Sequence, residues 1–186
     1  MELSKKMMNN SIFLESERTF LRPYKRSDAE DISLVASDPM VYATTYNMPL
    51  DFTVDYARRW ICYLAKNRRD GYGIELGIFE KGTENYIGHC GINSIVKSCK
   101  SGNLVYFISR NYWGKGYATE AAKTMLGFGF EQLELERIAG ICMEHNTASR
   151  RVLEKIGMAY EGCGVHEIYK DDSPVNVLHF AIIKEK

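Results

Sequence analysis

The segment from Leu104 to Ala122 constrains this chain more than any other. Leu104-Val105-Tyr106-Phe107-Ile108-Ser109 is an apolar run of β-branched and aromatic residues, which predicts a strand, and the Ala-rich residues beyond Tyr117 have the composition of a helix. Between them lies a glycine turn. A helix that starts on such a turn leaves its first N–H groups without intrahelical partners, at the positive end of the helix dipole. The result is an anion site, most naturally for phosphate. Gly114 and Gly116 let a ligand approach the backbone, Lys115 adds a cation, and Ala118 is small enough for close packing behind the turn. On this loop alone, a plain strand-to-helix turn accounts for the residues equally well.

Two familiar phosphate loops are excluded. A dinucleotide fingerprint needs a glycine where Thr119 stands, and a P-loop needs Gly-Lys followed by Ser or Thr after a four-residue spacer. The segment instead resembles the acyl-CoA loop of the GCN5-related N-acetyltransferases (GNAT), with Gly116 and Ala118 at its small positions and Trp113 in place of the usual Gln or Arg. Tyr112 to Ala121 reads without a gap like the RimJ/RimL-type ribosomal-protein N-terminal acetyltransferases. A second block, Asn146-Thr147-Ala148-Ser149-Arg150-Arg151-Val152-Leu153-Glu154-Lys155-Ile156-Gly157-Met158, is similar to the same branch, as is the opening Arg18-Thr19-Phe20-Leu21-Arg22-Pro23. Together they extend the likeness over nearly the whole chain.

At 186 residues the chain is long enough for one well-buried core and short for two, so one domain over residues 1–186 is expected. Lys plus Arg balance Asp plus Glu at 24 each, which leaves no global field to gather nucleic acid or an anionic membrane. Five cysteines, Cys62, Cys90, Cys99, Cys142 and Cys163, include no C-x-x-C pair, so neither a disulfide framework nor a zinc site is expected, and most are read as small buried apolar residues. Met1 to Ser11 lacks the apolar core of a signal peptide, and no run approaches a membrane span; the expected compartment is the cytoplasm.

Ser16 to Pro23 predicts a first strand, and Ser27-Asp28-Ala29-Glu30 has the capping-box form of a helix running to about Val35. Met40 to Asn67 predicts one or two helices. Tyr72 to Phe79 and Asn85 to Val96 predict strands joined by a polar glycine loop. After the organising turn come a helix to about Leu133, a strand from Ile138 to Met143, and a helix from Thr147 to Ile156 closed by Gly157. Met158 to Cys163 and Val175 to Ile183 are the last strands. The resemblance implies a mixed α/β GNAT-like fold: a central, mostly antiparallel twisted sheet with a splayed parallel strand pair, flanked by helices. In that family Met40 to Asn67 contributes to the acceptor cleft, so Tyr42, Tyr46, Phe52 and Trp60 are either cleft wall or, as aromatics more often are, core.

The resemblance also implies the chemistry: acetyl-CoA as donor, direct transfer to an amine, and no metal. Backbone groups of Phe107, Ile108 and Ser109 would pair with the pantetheine arm, while the amides of Gly114, Lys115, Gly116, Tyr117, Ala118 and Thr119 would hold the pyrophosphate. Asn146 and Ser149 stand at the family's positions for the cofactor arm and sulfur, although both residue types also cap helices. Arg150, Arg151 or Lys115 would meet the 3′-phosphate unless they only solvate a helix face. The acceptor is a protein N-terminal α-amine or a small amine such as a polyamine, antibiotic or amino acid. An α-amine, with a reference pKa near ~7.7 against ~10.4 for lysine, needs less help from a base. Leu153 replaces the Tyr acid of many relatives, and the resemblance to the RimJ/RimL branch implies that Ser149 handles the thiolate. The base position falls at Ile168, with Glu167 beside it, and adjacent strand residues face opposite sides unless a bulge intervenes. Tyr169, His89, Glu75 and Glu144 are the alternatives. The departures at Leu153, Ile168 and Asn103, the last standing where relatives often carry Glu, also fit a noncatalytic acyl-CoA-binding module.

Overall fold

The computed structural model describes residues 12–185; the leader-peptide reading of Met1 to Ser11 lies outside them. One eight-stranded sheet runs through the molecule in the order β1-β2-β3-β4-β5-β6-β8-β7. Its strands are β1 (Leu14–Glu15), β2 (Thr19–Arg22), β3 (Ile74–Glu80), β4 (Tyr86–Val96), β5 (Ser101–Ile108), β6 (Arg137–Met143), β7 (Ala159–Lys170) and β8 (Ser173–Ile183). Neighbours pair antiparallel except β5 and β6, which run parallel. Among the described residues, five α-helices flank it: α1 (Ala29–Ala36), α2 (Pro39–Thr44), α3 (Val54–Asp70), α4 (Tyr117–Glu131) and α5 (Thr147–Lys155).

Alternation along the strands sends side chains to opposite faces, and each face has its own core. Ile74, Leu76 and Ile78 of β3 pack with Ala121, Ala122 and Met125 of α4 and Leu153 of α5. Phe79, Tyr86 and Phe107 pack on the other face with Ile32 of α1 and Ala57 and Ile61 of α3.

Local structure departs from the sequence expectation at several points. The strand expected from Ser16 is a hairpin, because the Ser16 hydroxyl takes the Thr19 N–H (3.2 Å) and its own N–H bonds Thr19 O (2.9 Å), closing a turn between β1 and β2. The capping carboxylate is Asp28, not Glu30: it accepts the Lys25 N–H at 2.7 Å and two bonds from Arg22, so a short 3₁₀ turn precedes α1. Met40 to Asn67 divides between α2 and α3, the latter capped by the Thr53 hydroxyl and ended by Gly71 in the left-handed region. Cys90 and Cys142 are buried as expected, but Cys62, Cys99 and Cys163 are exposed; all five are free thiols.

Between β5 and β6 the parallel ladder covers Ser101–Leu104 against Arg137–Gly140 only. Beyond it β5 stays on β4 to Ile108 and β6 stays on β8 to Met143, so the two strands part. At Gly140 a side chain would meet Leu153 Cδ2 at 2.8 Å and Met158 Sδ at 3.2 Å, which lets α5 sit close beneath the parting strands.

The start of α4 is fixed from β2. The Glu120 carboxylate accepts from the Ser16 hydroxyl, the Arg18 N–H and Arg18 Nε, each at 2.7 Å. Burial alone would raise its pKa; the bonds from the Arg18 N–H, Ser16 and the guanidinium outweigh burial and hold it below the ordinary carboxylate range. A depressed carboxylate contributes stability above its unfolded pKa, and that contribution disappears as pH falls through the folded value. Glu120→Gln is therefore expected to cost roughly 2 kcal/mol at pH 7. Urea denaturation of both proteins across the acid range should show the difference shrinking as wild-type Glu120 protonates.

Candidate active site

After β5 the chain makes a 3₁₀ turn, Arg110–Tyr112, and then passes through Gly114 at φ 73° and Gly116 at φ 84° into α4. Gly116 is the N-cap and offers no side chain, and the first helical bond runs from Glu120 N to Gly116 O. The N–H groups of Tyr117, Ala118 and Thr119 therefore precede the helical ladder, as an anion site requires. A side chain at Gly114 would point into open space, so the approach to the turn is clear.

Lys115 folds back, donating from Nζ to Asn111 O at 3.0 Å beside the Tyr112 ring. Arg18 supplies a second cation: its guanidinium lies 4.4 Å from the centre of the Tyr117 ring and donates to Lys115 O at 3.0 Å. Its role was not read from the sequence, although the residue opens a recognised motif. Of the other basic residues, Arg150 pairs with Glu154 at 2.8 Å and Arg151 bonds Thr147 O at 3.3 Å.

At the strand gap, the Ser109 N–H donates to Ile87 O (2.8 Å) in the β4 ladder. Antiparallel alternation turns the backbone of Phe107 the same way, and a side chain at Gly88 would lie 2.3 Å from Phe107 O. Of the three residues expected to pair with pantetheine, Ile108 alone faces the gap, joined there by Tyr106. The Ile108 carbonyl already accepts from the Trp113 indole at 2.7 Å, which gives the tryptophan at the departed loop position a structural role.

A cavity of about 160 Å³ opens between the parted strands and is bounded by α5 on one side and by β3, β4 and α3 on the other. On the α5 side, Ser149 Oγ lies 2.8 Å from the Tyr106 hydroxyl. Asn146 caps α5 through its Oδ1, accepting from Ser149 N at 3.0 Å, and its Nδ2 donates to Thr44 O at 3.2 Å, which ties α5 to the end of α2. Both readings of Asn146 thus converge on one residue: it caps the helix and lines the cavity.

On the opposite side stand Glu75 and His89. His89 is 3% exposed, with Nε2 on Glu75 Oε2 at 2.9 Å and Nδ1 on the Tyr24 hydroxyl at 2.7 Å. Its ring stacks on Phe107 (5.2 Å) and leans on Trp60 (5.0 Å). Phe52, Trp60 and Tyr46 line the cavity, Phe52 also being core, whereas Tyr42 bonds Asp171 in the β7–β8 turn.

Glu167 occupies a bulge. Gly164 pairs with Val177 and Ile168 with Val175, so three residues of β7 oppose Asn176 alone. His166 takes φ 51° and its N–H bonds Asn176 Oδ1 at 2.9 Å. The bulge turns Glu167 onto His179 Nε2 at 2.6 Å, outside the cavity lining. It stays near Tyr46, whose phenol is raised first by burial and then by the Glu167 charge. Tyr169 is exposed, and Glu144 accepts from Asn176 Nδ2 at 2.9 Å.

The cavity reaches Tyr106, Phe107 and Ser149, and we propose that an acyl-CoA lies from the head of α4 toward Ser149. A side chain at Gly116 should spoil this arrangement. Gly116→Val forces a β-branched residue into the left-handed region and covers the free N–H groups, so titration calorimetry is expected to show acetyl-CoA bound at least ~10-fold more weakly.

Comparison with known proteins agrees with this geometry. The acetyltransferase (GNAT) domain matches residues 18–159. An uncharacterized N-acetyltransferase, p20, of Bacillus licheniformis is 34% identical over 150 residues, covering 80% of this chain and 83% of that protein. The crystal structure of a GNAT-family acetyltransferase from Bacillus anthracis superposes with a TM-score of 0.81 at 26% identity, over 92% of this chain and 98% of that one. The fold is also that of Mycobacterium smegmatis RimJ in complex with CoA-disulfide (TM-score 0.84, 22% identity, 92% and 87% covered). Spermidine N(1)-acetyltransferase of Escherichia coli is 22% identical over 166 residues, 89% of this chain and 86% of that protein. The chain belongs to the GNAT acetyltransferase family and is an N-acetyltransferase that uses acetyl-CoA.

Proposed function

We propose that the enzyme acetylates a protein or peptide N-terminal α-amine. The observation that carries this reading is the cavity's charge: among its lining residues Glu75 is the one carboxylate, and the other polar groups are neutral hydroxyls and amides such as Thr44, Thr45, Asn47 and Asn93, together with His89. One carboxylate matches one amine, and neutral hydrogen-bonding groups match the peptide units behind it. A polyamine would bring at least one further cation into the cavity without a partner, which is costly. The resemblance to ribosomal-protein acetyltransferases and the similarity to a spermidine acetyltransferase span both alternatives, and the cavity chemistry favours the α-amine.

Acetyl-CoA supplies an activated acetyl group as a thioester with a thiolate leaving group. Glu75 receives the acceptor amine and takes its proton, in place of Glu167, which the β7 bulge directs to His179. His89 holds Glu75 by the 2.9 Å bond, and Tyr24 holds His89 from behind. The rings of Phe52, Trp60 and Phe107 exclude water and strengthen these contacts. Ser149, at the other end, donates to the departing sulfur. Three exposed free thiols, Cys62, Cys99 and Cys163, support a reducing, cytoplasmic setting.

Peptides with free α-amines are expected to release CoA faster than Nα-blocked lysine peptides or spermidine. Glu75→Gln should lower kcat by roughly 10²-fold and leave acetyl-CoA affinity unchanged. A preference for spermidine, or a larger loss in Glu167→Gln than in Glu75→Gln, would contradict the assignment.

A further inference from the structure

The departing sulfur needs a hydrogen-bond donor or a proton, and at the Ser149 end of the cavity two hydroxyls touch. The Tyr106 phenol reaches across the strand gap from β5 to α5, 2.8 Å from Ser149 Oγ and 3.2 Å from Ser149 O. Leu153, at the position where many relatives carry a tyrosine acid, is buried and apolar, so α5 offers no phenol of its own there.

We propose that Tyr106 is a positioning residue for thiolate departure: its phenol fixes the Ser149 hydroxyl so that the serine O–H is directed at the sulfur. This rests on the reading of Ser149 given above and extends it to a second residue. Burial pushes the phenol well above its ordinary range, with the Ser149 bond pulling the other way, so Tyr106 stays protonated through neutral and mildly alkaline pH and remains a donor. Its titratable neighbours are Cys90 and Cys142, both raised by burial, the latter to about 11, so neither places a charge beside it near neutrality.

The transfer balances without another reactant. The amine nitrogen forms a bond to the thioester carbonyl carbon, the C–S bond breaks with its electron pair on sulfur, and the proton lost by nitrogen equals the one that converts thiolate to thiol. Tyr106 and Ser149 stabilise sulfur between bond cleavage and protonation and are unchanged at the end.

Two features leave Tyr106 suited to this work. Its backbone faces the gap where the strands part, and its side chain reaches Ser149 on the face of the sheet opposite Glu75. The base and the leaving-group donor are thus separated by the space in which thioester and amine must meet.

The test needs no acceptor. The ionisation of CoA bound to the enzyme is followed by thiolate absorbance, as the difference between CoA and desulfo-CoA complexes, which cancels the protein's own thiols. Against a free-thiol reference near ~8.5, a hydrogen bond to the charged form should lower the bound value by roughly one unit in wild type. Ser149→Ala and Tyr106→Phe are each expected to remove most of that shift, and the double variant should do no more than the larger single one. If Ser149→Ala removes the shift and Tyr106→Phe keeps it, the inference is overturned and the Ser149 reading stands. If Ser149→Ala also keeps it, both fail. Should Tyr106→Phe not fold, 3-fluorotyrosine at position 106 serves instead: a stronger donor should lower the bound thiol pKa further, and an unchanged value overturns the proposal.

Discussion

The structure turns on the short length of one ladder. Four parallel residue pairs join β5 to β6, and past Leu104 and Gly140 each strand keeps its outer partner while abandoning the other. A strand inside a sheet ordinarily satisfies its backbone groups on both sides, because leaving them unpaired away from water is costly. Here the gap is bridged by side chains: the Trp113 indole on Ile108 O and the Tyr106 phenol on Ser149. Tyr106 keeps backbone groups that an extended amide-bearing ligand can match, as another strand would. The cavity opens there, and the proposed cofactor arm and catalytic side chains depend on that opening.

In the binding mode we propose, the glycine turn extends the same site to the phosphates. Gly114 and Gly116 take a backbone shape that puts successive N–H groups at the head of α4, and the Arg18–Glu120 pair fixes that helix end against β2. Arg18 also brings a guanidinium to the turn, beside Tyr117. Under the proposed binding mode a neutral chain holds a polyanionic donor through local dipoles and the placed cations Lys115 and Arg18, not through net charge.

Much of this was legible from residues. The turn and its two flanking elements follow from Leu104 to Ala122, the α5 block from Asn146 to Gly157, and Gly157 does take φ 88°. What the sequence concealed involves contacts distant along the chain. Ser16 turns the chain because its hydroxyl competes with the ladder, and Asp28 replaces Glu30 as the capping carboxylate because Arg22 holds it. His89 reads as a lone histidine until β3 places Glu75 beside it and β2 leads Tyr24 to its other nitrogen. The β7 bulge, signalled only by Gly162 and Gly164, decides where Glu167 points. Tyr106 alternates within an apolar strand and reads as core; only the strand gap turns it into a neighbour of Ser149.

Amide hydrogen exchange on the free enzyme and on the enzyme with CoA tests the central claim most directly. The ligand should slow exchange at Tyr106 and at Tyr117, Ala118 and Thr119, which the protein leaves outside its own ladders, while Ser109, already bonded to Ile87, should change little. Protection confined to other segments, with Tyr106 and the head of α4 unchanged, would mean that the donor does not lie in the gap between β5 and β6.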